Sequence, residues 1–143
     1  MNSLEEDGGM KSPHGQILNL EYIDNEEGLG QVKMPYADIL VGDPDTGVPH
    51  GGVITTMLDT ASGMAVKAKI EEMENMAIAT LDLRIDYMQP ALPGADLFAQ
   101  AECYKTTKNV AFVKGVAWQS DINNPIAMSV GTFMIGTMNI PRK

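Results

Sequence analysis

The sequence predicts an α+β domain in which a curved, mostly antiparallel six-stranded sheet wraps one long central helix. Three observations carry this. One segment near the middle has apolar residues at helical spacing, six others alternate or run apolar over strand length, and the links between the last four are short and rich in turn-forming residues. Helices and strands segregated in this way belong to the α+β class, and a sheet of six strands leaves two edges that must be covered or paired with another subunit.

Residues 1–15, "MNSLEEDGGMKSPHG", are polar and aperiodic, and the expectation is a disordered tail outside a single domain spanning 16–143. "QILNLEYI" (16–23) alternates in part, "DNEEG" has turn chemistry, and "LGQVKMPY" (29–36) alternates again, which predicts a β-hairpin. A loop rich in Gly, Pro and Asp, "GDPDTGVPHGG" (42–52), follows. Then the period changes. Met57, Leu58, Ala61, Met64, Ala65 and Ala68 fall on one helical face, and the helix should stop near Ile70, before "EEMEN". Strand character returns at 77–88, 96–105, 109–120 and 126–138. The intervening "PALPG", "TTK" and "DINNP" are hairpin connections.

At 143 residues and 44% hydrophobic, the chain is long enough to bury a core without staples. The formal net charge of −9 argues against wrapping a nucleic acid or docking on an anionic membrane. That charge is uneven: residues 1–45 carry −8, 46–103 carry −5 and 104–143 carry +4, so an anionic ligand would favour the C-terminal part. Cys103, the single cysteine, excludes an intrachain disulfide and reads as a buried, inert thiol. No export signal or bilayer-length apolar run is visible, which gives an expectation of cytoplasmic residence. Two histidines without carboxylates at ligand spacing predict no metal site, and neither a Gly-x-Ser-x-Gly elbow nor a Walker-type loop is present.

The chemistry concentrates at "VPHGGVITTMLDTASGMA" (48–65). His50, Gly51 and Gly52 stand where the helix begins, and free N–H groups at a helix start carry about half a positive charge, a natural oxyanion site. Asp59 lies nearly opposite the apolar stripe, beside Thr55, Ser62, Gly63 and Val66, on a face that is small rather than charged. Gly51 and Asp59 are separated by about 12 Å of helical rise, whereas a carboxylate acting on a carbonyl held at Gly51 must come within about 3.5 Å of it. One helix cannot supply both. Two antiparallel helices across a two-fold axis can, each giving its N–H to one site and its Asp59 to the other.

"GVPHGGVITTMLDTASGMA" followed by "TLDLRIDYMQPALPGADL" resembles the hot-dog-fold acyl-CoA thioesterases of the PaaI-like branch, in which an HGG precedes the central helix, an Asp follows the His by nine residues, and a later strand ends in aromatic-x-x-Pro. The resemblance spans about residues 16–140. It implies that Gly51 N–H polarises a thioester carbonyl, that Asp59 of the other subunit acts as general base or nucleophile, that His50 orients the substrate or leaving group, and that Thr80 positions water. Gly52 joins the substrate-binding set, and Arg84, Lys105 and Lys108 are candidates for coenzyme A phosphates, together with Lys114 and Arg142. Coenzyme A enters as part of the substrate, with no separate cofactor. The expected assembly is a homodimer, with dimers free to pair further.

Relatives commonly carry an Asn six residues before the His, where this chain has Pro44. Proline offers neither an N–H nor a side-chain donor, so that part of the carbonyl site is absent or built differently. A second reading follows, in which the chain binds acyl-CoA without turning it over. A hydratase or dehydratase on the same fold is a third, for which the acid/base His with a carboxylate partner is not evident. Methionines 57, 64, 88, 128, 134 and 138 are expected mostly in the core, and Tyr87 and Trp118 are candidates to line an acyl tunnel.

Overall fold

The computed structural model describes residues 12–70 and 77–137. The chain begins with a short helix, α1 (Pro13–Ile17), where the sequence predicted tail and then strand. The reason is local. Ser12 accepts the Gly15 N–H at 3.1 Å and Pro13 occupies the first turn, a strong helix start, while the alternation over 16–23 is only partial. Strand β1 shrinks to Glu21–Tyr22, pairing with β2 (Gly30–Met34). The segment predicted as a loop contains a small ribbon of β3 (Val41–Asp43) and β4 (Val48–Pro49). Asp43 closes its turn, accepting the Asp45 N–H and the Thr46 hydroxyl, each at 3.0 Å.

The central helix α2 (Gly51–Lys69) and the strands β5 (Ala77–Tyr87), β6 (Leu97–Thr106), β7 (Val110–Trp118) and β8 (Ala127–Thr137) fall where the periodicity put them. The main sheet runs β1-β2-β6-β7-β8-β5, antiparallel throughout. β5, the strand after the helix, is therefore an edge.

Small residues on the inner face let the sheet pack closely on α2. Ala99, Ala101, Ala111, Ala117 and Ala127 are buried against Val53, Ile54, Met57, Leu58, Ala61, Ala65 and Val66 of the helix. Gly30 marks the closest approach. A Cβ there would stand 1.8 Å from the Ala61 carbonyl oxygen, so helix and strand meet backbone to backbone. Burying Met57 and Leu58 completely contributes roughly 1.5–3 kcal/mol each. Cys103 is buried as expected, and burial pushes its thiol pKa up.

The methionines do not follow the expectation. Met57 is core and Met64 packs against it, but Met88, Met128 and Met134 are exposed, and Met138 lies outside the described residues. On the sheet's outer face Trp118 stacks on Phe98 at 5.8 Å, so Trp118 does not line a space between this protomer's helix and sheet. Among the described residues no helix is long and apolar enough to cross a membrane.

Candidate active site

Two clusters form where β5 runs beside α2. The first is at the helix N-terminus. His50 is the N-cap, but through its ring: Nδ1 accepts the Gly52 N–H at 2.8 Å. An Nδ1 that accepts carries no proton, so the neutral imidazole holds its hydrogen on Nε2 and presents that N–H outward. The Val53 N–H is taken by the His50 carbonyl at 3.0 Å. Of the first three N–H groups, only that of Gly51 has no acceptor among the described residues. Gly52, expected to bind substrate, instead gives its N–H to His50. A Cβ on Gly52 would lie 2.9 Å from Nδ1, so this glycine is what lets the ring fold back.

Gly51 differs. Its φ is not positive, and a Cβ there would meet Tyr87 at 3.7 Å, an ordinary contact. Neither backbone nor packing requires glycine at this position, which suits one kept open for the approach of a ligand.

The second cluster is two turns along. The Thr80 hydroxyl donates to Asp59 Oδ1 at 2.7 Å, a short charge-assisted bond that fixes the carboxylate on the half-buried flank of the helix. Ser62, one turn further, is fully buried, and its hydroxyl has no partner among the described residues.

Both clusters depend on a bulge. Thr80 and Tyr87 are an odd number of residues apart, so a regular strand would send them to opposite faces. The pairing of β5 with β8 slips between Thr80 and Asp82, leaving Leu81 as the extra residue, and the parity changes. Ile78 and Thr80 face α2 before the bulge. Leu83, Ile85 and Tyr87 face it afterwards, and the Tyr87 hydroxyl reaches the Gly51 carbonyl oxygen at 3.0 Å and Thr55 Oγ1 at 2.6 Å. Sequence reasoning placed Tyr87 in the aromatic-x-x-Pro motif and in a tunnel wall, and missed this contact across 36 residues. It also missed His14, whose Nε2 sits 3.0 Å from Thr56 Oγ1 and ties α1 to α2.

The remaining candidates are scattered. Arg84 points to the outer face and pairs with Asp86 at 3.3 Å, away from both clusters. Lys105 and Lys108 are exposed at the β6–β7 hairpin, at the Thr80 end of the sheet but two strands removed from β5. Lys114 pairs with Glu102 at 3.7 Å, and Arg142 lies outside the described residues. Pro44 sits in the exposed β3–β4 turn. The residue that abuts His50 is Gly42, where a Cβ would fall 2.8 Å from the His50 Cα. Among the described residues no three His, Cys, Asp or Glu side chains cluster to hold a metal.

The family follows from comparison with known proteins. The model of the Thioesterase superfamily matches residues 46–126, from the turn before the HGG to the start of β8. The chain belongs to the Thioesterase superfamily. Membership gives it the hot-dog fold and places it among the thioester hydrolases. A Salmonella typhimurium protein named as a medium/long-chain acyl-CoA thioesterase, YigI, is 27% identical over 135 residues, 87% of this chain and 86% of its own. A crystal structure of a Pseudomonas aeruginosa protein is 43% identical, with a TM-score of 0.76 over 86% of this chain and 90% of its own. The Escherichia coli PaaI protein of the phenylacetic acid degradation operon, at 19% identity, shares the fold with a TM-score of 0.77 over 94% of each chain.

Proposed function

We propose that this superfamily member hydrolyses aryl- or medium-chain acyl-CoA thioesters at two equivalent sites formed between the protomers of a homodimer. The observation that carries the reading is the wiring of β5. One end of this edge strand holds Asp59 through Thr80 and the other touches Gly51 through Tyr87. Antiparallel pairing of two β5 strands about a two-fold axis at Arg84 sets Arg84 opposite its own copy and, because the bulge at Leu81 adds one residue, sets Thr80 level with Tyr87 of the partner subunit. Each Asp59 then faces the glycine pair it cannot reach within its own chain.

In such a site the thioester oxygen accepts from Gly51 N–H and from His50 Nε2–H, which takes the place of the missing Asn at position 44. Charge grows on that oxygen as the carbonyl becomes tetrahedral, so both donors bind the transition state more strongly than the substrate. Asp59 of the partner subunit removes a proton from water as the water oxygen adds to the carbonyl carbon. The oxyanion then collapses, the C–S bond breaks, and the coenzyme A thiolate leaves and takes up a proton. In the nucleophilic variant the carboxylate itself adds, and water cleaves the resulting anhydride. Medium-chain substrates are favoured by the likeness to YigI. Lys105 and Lys108 are the cations for the coenzyme A phosphates.

A thiol-release assay over aryl- and medium-chain acyl-CoAs tests this, with Asp59→Asn beside the wild type. Loss of roughly 10²–10⁴-fold in kcat is expected from removing the base. Equal rates would remove Asp59 from the mechanism. Tight binding without turnover would favour the binding-protein reading that Pro44 suggests, and water addition to an enoyl-CoA would favour a hydratase.

A further inference from the structure

The peptide unit joining Gly51 and Gly52 is gripped at both ends. Its carbonyl oxygen lies 3.0 Å from the Tyr87 hydroxyl, which lies 2.6 Å from Thr55 Oγ1. A carbonyl can only accept, so the phenol spends its one proton there and accepts the Thr55 proton in return. The competing contact, from Thr55 Oγ1 to the same carbonyl, is longer at 3.5 Å. At the other end of the same unit, Gly52 N–H donates to His50 Nδ1 at 2.8 Å.

The bonds therefore run head to tail, from the Thr55 hydroxyl to Tyr87, through the Gly51 carbonyl and Gly52 N–H, to His50 Nδ1. Each polarises the next, and the series ends on the His50 Nε2–H. Two successive glycines are the least constrained backbone a helix can start with, and no side chain of their own holds them. Tyr87 supplies the restraint from another element.

We propose that Tyr87 is a positioning residue for thioester hydrolysis: its hydroxyl fixes the plane of the Gly51–Gly52 peptide, and through it the aim of Gly51 N–H and of the His50 ring. The proposal rests on the thioesterase reading above and gives Tyr87 no contact with substrate. Donors that are rigid when charge develops stabilise the transition state, whereas donors that must be gathered do not. Loosening them should slow the chemical step and leave substrate binding almost as it was.

The test uses the full chain and the best acyl-CoA of the panel, with Tyr87→Phe, Thr55→Val and the double variant. Kinetics are followed by binding of a non-hydrolysable acyl-CoA thioether and of a trifluoromethyl ketone analogue, whose hydrated carbon copies the tetrahedral intermediate. Tyr87→Phe should lower kcat roughly 10- to 100-fold with KM within about two-fold. It should weaken the ketone by a similar factor and leave the thioether unchanged. The double variant should be no slower than Tyr87→Phe alone, because Thr55 acts through the phenol. If Tyr87→Phe does not fold, Thr55→Val, which keeps the ring, should still lower kcat several-fold with KM unchanged.

An unchanged kcat in a folded Tyr87→Phe protein overturns the proposal alone. So does a parallel fall in thioether and ketone affinity, which would mark a general distortion, or a double variant in which the two effects multiply. A wild type without turnover overturns the hydrolase reading, and this role with it.

Discussion

Two adjacent glycines here have opposite reasons for being glycine, and substitution should separate them. Gly51→Ala meets only an ordinary contact with Tyr87, so stability should stay level or rise by up to about 1 kcal/mol as the unfolded chain loses freedom. Activity should nonetheless fall, because the methyl stands beside the N–H at which the carbonyl must arrive. Gly52→Ala pushes the His50 ring off its cap and should cost about 1 kcal/mol, a lower melting temperature being the readout. Cys103 gives a pH prediction. Its raised thiol pKa means that the unfolded chain loses the proton first as pH climbs, so the contribution to stability is full below the ordinary thiol pKa and fades through the alkaline range. Alkylation by iodoacetamide at pH 8 should be slow until the protein is unfolded. The placement of His50 and Gly51 at the start of α2 and of Asp59 two turns along it was legible in the sequence, because the three sit within ten residues and helical spacing alone sets their geometry. The Tyr87 contact was not, because it depends on how a distant strand docks.

At the scale of elements, helical and strand periodicity located α2 and the four long strands, since each buries one face against a common core and the pattern is the record of that burial. Periodicity failed where local signals compete with it. Ser12 and Pro13 start a helix inside a half-alternating segment, and the β3–β4 ribbon is too short to alternate. The bulge in β5 left a trace that a regular reading passes over. Ile78 stands on the even positions and Leu81, Leu83 and Ile85 on the odd ones, a change of parity within a single strand. Deleting Leu81 should restore a regular ladder and turn either Thr80 or Tyr87 away from α2. The expected result is a folded protein, by circular dichroism, with kcat reduced at least as far as in Tyr87→Phe. Wild-type activity in the deletion would show that the bulge has no part in the site.

At the scale of the whole molecule, the two sheet edges are unlike. β1 ends the sheet with two residues, whereas β5 offers eleven, with Leu81 and Tyr87 about half exposed. A long, partly apolar edge invites another strand, and a second β5 is the occupant that completes the proposed site. The chain should sediment as a dimer or larger. Leu81→Asp adds a carboxylate at the bulge, next to the level of Asp86 of the partner subunit, and should shift the equilibrium toward monomer and abolish turnover together. A monomer that still hydrolyses acyl-CoA would contradict the shared site. Removing Lys105 and Lys108 should raise KM and weaken its salt dependence while sparing kcat, if these lysines hold phosphates.

The division of labour along β5 has a genetic consequence. With the glycine pair drawn from one copy and the acid from its twin, a chain crippled at Gly51 and another crippled at Asp59 are each inert alone, yet a hybrid of the two retains one cleft in which every part is sound. Co-expressing both alleles at equal dose should recover roughly a quarter of normal output, since half the assemblies are hybrids and half the clefts in each are whole.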